Sequence, residues 1–144
     1  MTDHPAASRP LEVELELPVR TYDVDFAGVV SNIVYIRWLE DLRLTLLEEH
    51  LPLKEQWEQD VVPVLASTQI EYRRPIRLFD APVGRMWMSE AGRVKWTVRA
   101  EILLDGQPAA IASQTGAFVS LSTLRPVALP EELAAKFRQQ RCRE

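Results

Sequence analysis

A carboxylate precedes a predicted helix start in this chain by a few residues. Asp25 lies three residues before Gly28, and a pattern of helical period begins at Asn32. A helix N-terminus presents backbone N–H groups without intrahelical partners, together with a partial positive charge, so it can bind the oxygen of a carbonyl under attack. Asp25 is ionised at neutral pH, because the unperturbed pKa of aspartate is about 3.9. It could attack that carbonyl or activate water, and Gly28, without a Cβ, leaves room for close approach.

Each of these residues also has an ordinary structural interpretation. Aspartate is common in turns and before helices, so Asp25 could simply cap the helix, and Asn32 could be its N-cap. Gly28 is typical of a turn. Asp23 is interpreted as structural, with a side chain that accepts hydrogen bonds from loop N–H groups. The residue types alone therefore leave both interpretations open.

Around this segment the apolar residues recur first with the period of a strand, then with the period of a helix, and then with that of strands again. Residues 11–17 alternate apolar and charged side chains, which predicts a half-buried strand. From Asn32 apolar residues recur at helical spacing until His50 and Pro52, and residues 53–60 predict a short polar helix or loop. Later strands are predicted at 64–78, 82–89, 94–103 and 109–121, with turns at Ala91-Gly92 and Asp105-Gly106 and a short helix from Pro130.

The predicted helix after Asn32 is apolar around most of its first three turns. Ile33, Ile36 and Leu39 recur at helical spacing, and Tyr35 and Trp38 widen the apolar surface. Such a helix is usually covered by other structure, so the residues themselves indicate an α+β layer in which one antiparallel sheet covers one helix. Tyr35 and Trp38 are expected in the core or in the wall of a pocket.

Composition limits the classes of function. The chain has 144 residues, enough for one domain, here predicted as residues 11–140 after a disordered leader at 1–10. The net charge of -4 argues against bulk binding to nucleic acid or an anionic membrane. There is no apolar run long enough to span a membrane and no signal peptide, so a cytoplasmic location is expected. Cys142 is the only cysteine, which excludes an intramolecular disulfide and a zinc site of paired cysteines.

Three segments carry a resemblance to a known family. Segment 19–40 contains two aspartates two residues apart, a small-Gly-Val-Val turn, and a tyrosine and an aromatic-Glu pair in the predicted helix. It resembles the signature of hot-dog-fold acyl-CoA thioesterases of the 4-hydroxybenzoyl-CoA thioesterase type. Segment 70–76 with Asp80 is similar to that family's second-strand pattern, and segment 125–133 to its ending. The resemblance covers residues 11–135.

The resemblance implies a hot-dog fold, in which a curved antiparallel sheet wraps around one long central helix, and hydrolysis of acyl-CoA thioesters. It implies that Asp25 is the nucleophile or general base and that the backbone N–H at Asn32 or its neighbour binds the oxyanion. It further implies a homodimer or tetramer of dimers with the substrate between protomers. No metal or organic cofactor is expected, because the sequence has no phosphate-binding glycine loop and no His/Cys cluster. Tyr35 is expected at the substrate site, and Arg73, Arg74 and Arg77 are expected to bind coenzyme A phosphates.

One departure from the family keeps other functions open. Several subfamilies have histidine where this chain has Asn32, and its only histidines, His4 and His50, lie outside the motif. A non-catalytic acyl-CoA or acyl-carrier-protein binding module is therefore the alternative hypothesis, opposed by the presence of Asp25 with Gly28 and Tyr35. A hydratase or dehydratase is a third, disfavoured because such sites commonly need histidine. The sequence does not specify the acyl group.

Overall fold

Within residues 9–141, which the computed structural model describes, the chain forms six strands and three α-helices. The strands are β1 (Val13–Glu16), β2 (Val62–Tyr72), β3 (Val83–Ala91), β4 (Lys95–Leu104), β5 (Gln107–Val119) and β6 (Pro126–Val127). The helices are α1 (Asn32–His50), α2 (Leu53–Glu58) and α3 (Glu131–Arg141). The predicted long helix from Asn32 to His50, the short helix after it and the C-terminal helix are all confirmed. None of these helices is both long and apolar enough to cross a membrane.

The strands make one antiparallel sheet in the order β1-β3-β4-β5-β2, with β6 paired to the end of β5. The three central strands are consecutive hairpins, whereas β1 and β2 are added to opposite edges. Helix α1 packs on the sheet through leucines and closes one core with residues of β3 and β4. That core contains Leu39, Leu42, Leu46, Met86, Met88, Trp96 and Val98. The predicted α+β architecture, one sheet around one helix, is confirmed.

Strand β4 shows why the alternating pattern predicted its orientation. Trp96, Val98 and Ala100 are buried, while the intervening side chains point to the other face, which is the period of a strand covered on one side. Asp105 and Gly106 both have positive φ, 54° and 78°, and join β4 to β5. This is the two-residue turn that an Asp-Gly pair favours, because both positions need left-handed backbone.

The first turns of α1 are less covered than the sequence indicates. The prediction of a helix wrapped around its first three turns is wrong for Ile33, which is 73% exposed, and for Ile36, which is 42% exposed. The reason is that the sheet ends at β2, whose Tyr72 ring lies 5.0 Å from that of Tyr35. Beyond this edge no strand of the described chain continues over the helix, so one apolar side of α1 faces outward.

Residues 9 and 10, included in the expected disordered leader, pack against the sheet. The carbonyl of Pro10 accepts a hydrogen bond from the N–H of Met88 (2.9 Å). The Arg9 guanidinium lies 3.9 Å from the ring centre of Trp87 and pairs with Glu101 at 2.9 Å. The rest of that leader, residues 1–8 with His4, and Cys142 lie outside the described residues.

Candidate active site

Residues 23–31 form a tight hairpin that leads directly into α1, and we call it the aspartate hairpin. At its base the N–H of Ser31 donates to the carbonyl of Asp23 (3.0 Å). At its tip the N–H of Gly28 donates to the carbonyl of Asp25 (2.9 Å), which closes a four-residue turn. Gly28 has φ 79°, a left-handed conformation that glycine adopts without steric cost. The turn glycine predicted from the sequence therefore sets the geometry of the residue three positions before it.

The second arm of the aspartate hairpin, residues 28–30, is paired with the segment 76–78. The N–H of Val30 donates to the carbonyl of Ile76 (2.8 Å), and the N–H of Leu78 donates to the carbonyl of Gly28 (3.0 Å). Val29 also forms an isolated bridge with Arg77. The hairpin is thus attached to the connection between β2 and β3, which places Arg77 beside the hairpin tip.

The Asp25 side chain has one restrained oxygen and one free oxygen. Its Oδ1 accepts hydrogen bonds from the backbone N–H groups of Ala27 (2.9 Å) and Val29 (3.1 Å). Its Oδ2 has no hydrogen-bond partner among residues 9–141, and the side chain is exposed. The carboxylate is therefore held in a defined direction while one oxygen remains able to attack a carbonyl or take a proton.

The start of α1 supplies unpaired donors next to this hairpin. Ser31 is the N-cap residue, but its side chain makes no capping hydrogen bond. The N–H groups of Asn32 and Ile33 donate to no residue in the described chain. The Asn32 side chain is exposed, and the residue is the first of the helix instead of its cap, so the N-cap interpretation of Asn32 is wrong. Two free N–H groups at a helix N-terminus are suited to bind an oxyanion.

A cleft of about 280 Å³ lies at this end of the helix. It unites Asn32 and Tyr35 from α1 with Arg73 and Arg74 from the chain just after β2, four residues that the sequence predicts at the site. Its lining is completed by Val29, Val30, Tyr72 and Pro75. The other three predicted residues, Asp25, Gly28 and Arg77, do not line the cleft. Asp25 and Gly28 lie on the aspartate hairpin, whose second arm forms one wall of the cleft, and Arg77 lies on the segment paired with that arm.

Two tyrosines make the aromatic wall of the cleft. Tyr35 is buried, and its ring meets Tyr72 and Trp38 edge-to-face at 5.0 Å and 5.4 Å between centres. Burial raises the pKa of Tyr35, so its phenol stays protonated at neutral pH and can donate a hydrogen bond. Tyr72 is absent from the sequence prediction, although its alternation with Ile70 along β2 would have placed it on the helix side of the sheet.

The three arginines differ in how free they are to bind an anion. Arg73 Nε pairs with Glu71 at 3.0 Å, and Arg74 Nη1 donates to the carbonyl of Leu104 at 3.4 Å. The exposed Arg77 guanidinium has no partner among the described residues. Arg77 is therefore the cation of this group that a phosphate reaches without displacing a protein contact.

Other residues of the motif have structural positions. Asp23 is buried and accepts the N–H of Arg20 (2.9 Å), which confirms its predicted role with loop N–H groups. Trp38 is buried in the core, as expected, but Phe26 is fully exposed and outside the cleft. Glu40, the glutamate of the aromatic-Glu pair, is exposed and in no ion pair within residues 9–141.

The chain is similar to one family profile and to several known proteins. Residues 19–137 match the profile of the thioesterase-like superfamily. Long-chain acyl-CoA thioesterase FadM of Escherichia coli is 27% identical over 129 residues, which are 88% of this chain and 98% of FadM. A Thermus thermophilus thioesterase complexed with coenzyme A and Zn has a TM-score of 0.77 at 24% identity, covering 94% of this chain and 97% of its own. The Synechocystis 1,4-dihydroxy-2-naphthoyl-CoA thioesterase Slr0204 has a TM-score of 0.79 at 21% identity. That match covers 88% of this chain and 96% of Slr0204.

These solved structures share the fold of the chain, so the predicted hot-dog arrangement is confirmed. The profile match begins just before the aspartate hairpin and ends within α3. It therefore includes the cleft, the long helix and four of the five strands on the sheet path. On this match the chain belongs to the thioesterase-like superfamily.

Proposed function

We propose that this protein hydrolyses acyl-CoA thioesters to a free acid and coenzyme A, with Asp25 as nucleophile or general base. One observation carries the proposal: a carboxylate with a free oxygen stands on a hairpin that leads into two unpaired helix N–H groups. Attack on a thioester needs both, one group to deliver the nucleophile and others to stabilise the oxyanion. FadM is a long-chain acyl-CoA thioesterase and Slr0204 is a 1,4-dihydroxy-2-naphthoyl-CoA thioesterase, which supports the same substrate class.

In the proposed reaction the thioester carbonyl oxygen accepts hydrogen bonds from the N–H groups of Asn32 and Ile33. The free oxygen of Asp25 either attacks the carbonyl carbon or removes a proton from a water molecule that attacks it. The carbon–sulfur bond then breaks, the electron pair leaves on the coenzyme A sulfur, and that sulfur gains a proton. If Asp25 attacks, water hydrolyses the resulting anhydride and restores the carboxylate. In this proposal the Asn32 amide orients the carbonyl or the water.

The direct test is release of free coenzyme A thiol from a panel of short-chain, long-chain and aromatic acyl-CoA thioesters. The panel includes 4-hydroxybenzoyl-CoA, because the motif resembles that type, and long-chain substrates, because of the similarity to FadM. We expect turnover of at least one class. Tight binding of thioesters without turnover of any would instead establish the non-catalytic binding module.

Arg77→Ala is expected to raise KM for acyl-CoA while leaving kcat nearly unchanged. The free guanidinium contributes binding remote from the reacting carbon, so its removal costs about 1–2 kcal/mol, or roughly 5- to 30-fold in KM. Arg74→Ala should have a smaller effect, since its guanidinium is already bonded to Leu104. Initial rates with acyl-CoA and with thioesters lacking the nucleotide provide the measurement, and Arg125→Ala, at the other end of β5, is the control. An equal rise in KM for the nucleotide-free thioesters would contradict phosphate binding.

We also propose a homodimer or a tetramer of dimers, joined through β2. Among residues 9–141 this strand of eleven residues pairs with β5 on one side only and has an open edge on the other. Leu65 on that edge strand is 42% exposed, and the uncovered Ile33 and Ile36 lie on the adjacent helix. A long, apolar, open edge invites pairing with another strand. Because Tyr72 ends β2, a second copy there would cover the cleft.

If a second copy covers the cleft, specific activity is expected to fall on dilution in step with dissociation. Light scattering and initial rates across the same concentrations measure both. Leu65→Lys should shift both curves to higher concentration, whereas Leu53→Lys on α2, a leucine of similar exposure (39%), should not. A fully active monomer would overturn the shared site.

The proposed reaction uses water and protein groups alone, without a metal or organic cofactor. In residues 9–141 no three His, Cys, Asp or Glu side chains come together as potential metal ligands. The proposed location is the cytoplasm, as the sequence predicts.

A further inference from the structure

We infer that the ion pair between buried Asp23 and half-exposed Arg37 is a positioning pair that holds the aspartate hairpin, and with it Asp25, in reacting alignment. The inference rests on the proposed role of Asp25. Neither Asp23 nor Arg37 lines the cleft at the helix start, so their effect would be exerted through the hairpin.

Asp23 joins the hairpin to two other parts of the chain, the segment just before it and helix α1. Its Oδ2 accepts the N–H of Arg20 (2.9 Å), and its Oδ1 accepts Nη2 of Arg37 in the second turn of α1. Its backbone carbonyl accepts the N–H of Ser31, the N-cap of the same helix. The carboxylate is 2% exposed, while the Arg37 side chain is 54% exposed, so the arginine covers the acid from the solvent side.

The two arms of the hairpin are held differently. The second arm is fixed to the segment 76–78 by backbone hydrogen bonds. The first arm consists of residues 23–25. In the described chain, Asp23 is the only one of these three residues that forms hydrogen bonds outside the hairpin. Its contacts to the second arm, the bridge of Val24 with Val30 and the bond from Asp25 N–H to Val29, keep the hairpin closed but do not anchor it to α1.

Removal of the Arg37 cation would leave a buried carboxylate without a charged partner, which is strongly unfavourable in a protein interior. The acid regains water most easily by moving the base of the hairpin outward. Asp25, two residues away, would move with it relative to the free N–H groups at Asn32. A displacement of about 1 Å at a reacting group can cost about 100-fold in rate.

The expected signature is a loss in kcat without a matching change in KM. The cleft is formed by the second arm, α1 and the end of β2, none of which depends on Arg37 for its hydrogen bonds. We expect Arg37→Met and Asp23→Asn each to lower kcat by about 10- to 100-fold, with KM changed less than about twofold, the pattern of an interaction made in the transition state. Arg37→Lys retains the charge and should recover part of the loss.

The test combines each change with Asp25→Asn. If the pair acts through Asp25, Arg37→Met should leave the residual rate of the Asp25→Asn enzyme unchanged, because the group that it positions is already disabled. Leu133→Ala is the stability control, since Leu133 is a fully buried residue of α3 remote from the hairpin. It should lower the melting temperature and leave kcat, measured well below that temperature, within about twofold of the unmodified protein.

The outcomes separate the two ideas. An Asp25→Asn protein with unchanged kcat would overturn the catalytic role of Asp25, and the positioning role with it. With Asp25 confirmed, a kcat for Arg37→Met equal to that of Leu133→Ala would overturn the positioning pair alone. So would an equal loss from Arg37→Met in the presence and absence of Asp25. If Asp23→Asn fails to fold, the Lys and Met variants at the half-exposed Arg37 decide the question.

Discussion

Asp25→Asn is expected to lower kcat by more than about 100-fold and to leave the fold intact. An asparagine oxygen can still accept the N–H groups of Ala27 and Val29, so the hairpin keeps its turn. The amide is neither ionised nor basic, so it can serve neither as nucleophile nor as general base. Single-turnover and steady-state thiol release, with circular dichroism of the same samples, measure the two halves of this expectation.

Asp105→Asn is the matched control for this change. Asp105 occupies a positive-φ turn position between β4 and β5 and does not line the cleft, and asparagine tolerates that backbone well. Its kcat should equal that of the unmodified protein. A folded Asp25→Asn protein that keeps full kcat would remove Asp25 from the reaction. A folded Asp25→Asn protein that loses kcat but still binds acyl-CoA with normal affinity would confirm that the carboxylate serves chemistry and not binding.

Gly116→Ala is expected to be the most destabilising single methyl addition among the described glycines. A Cβ on Gly116 would lie 2.0 Å from the carbonyl oxygen of Val64 and 2.3 Å from the Trp96 ring. The oxygen belongs to the backbone of β2, so relief requires β2 to move away from β5, and the Trp96 ring must shift in the core as well. We expect a loss of at least about 3 kcal/mol in the free energy of unfolding, at or above the upper end of ordinary overpacking.

Gly92→Ala provides the comparison, since a Cβ there meets only the carbonyl oxygen of Lys95 at 3.7 Å, an ordinary contact. Its backbone does not have the positive φ that favours glycine, so the change should be neutral or stabilising by less than about 1 kcal/mol. Urea unfolding of both variants gives the two free energies. Equal midpoints would show that β5 can shift to accommodate the extra methyl.

The sequence predicted the fold where local patterns determine structure. Helix α1, the Asp105-Gly106 turn and the inward face of β4 each follow from period or turn chemistry within a few residues. The uncovered Ile33 and Ile36 could not be predicted in this way. The spacing of apolar residues predicts which side of a helix is apolar, but it does not show where the covering sheet ends. The position of the sheet edge depends on pairings between distant segments.

The candidate site shows the same contrast between features set by local sequence and features set by distant contacts. Asn32, Tyr35, Arg73 and Arg74 were predicted from motifs and do meet at one cleft. The contact of Arg37 with Asp23 was not predicted, because 14 residues and a change of element separate the two side chains. The attachment of the hairpin to segment 76–78 could not be predicted either, because backbone hydrogen bonds between irregular segments produce no pattern of side chains in the sequence.

The strand order has a consequence for how the chain folds while it is being made. Helix α1 leaves the ribosome before any of β3, β4 and β5, the strands that make the centre of the sheet. Its leucines therefore lack their partners on β3 and β4 until about fifty further residues are synthesised, a span read from the end of α1 to the end of β4. The three consecutive hairpin strands have the most local contacts and should fold first, with β1, α1 and β2 docking onto them afterwards. Nascent chains stalled before β5 should accordingly be recognised by chaperones that bind exposed apolar helices.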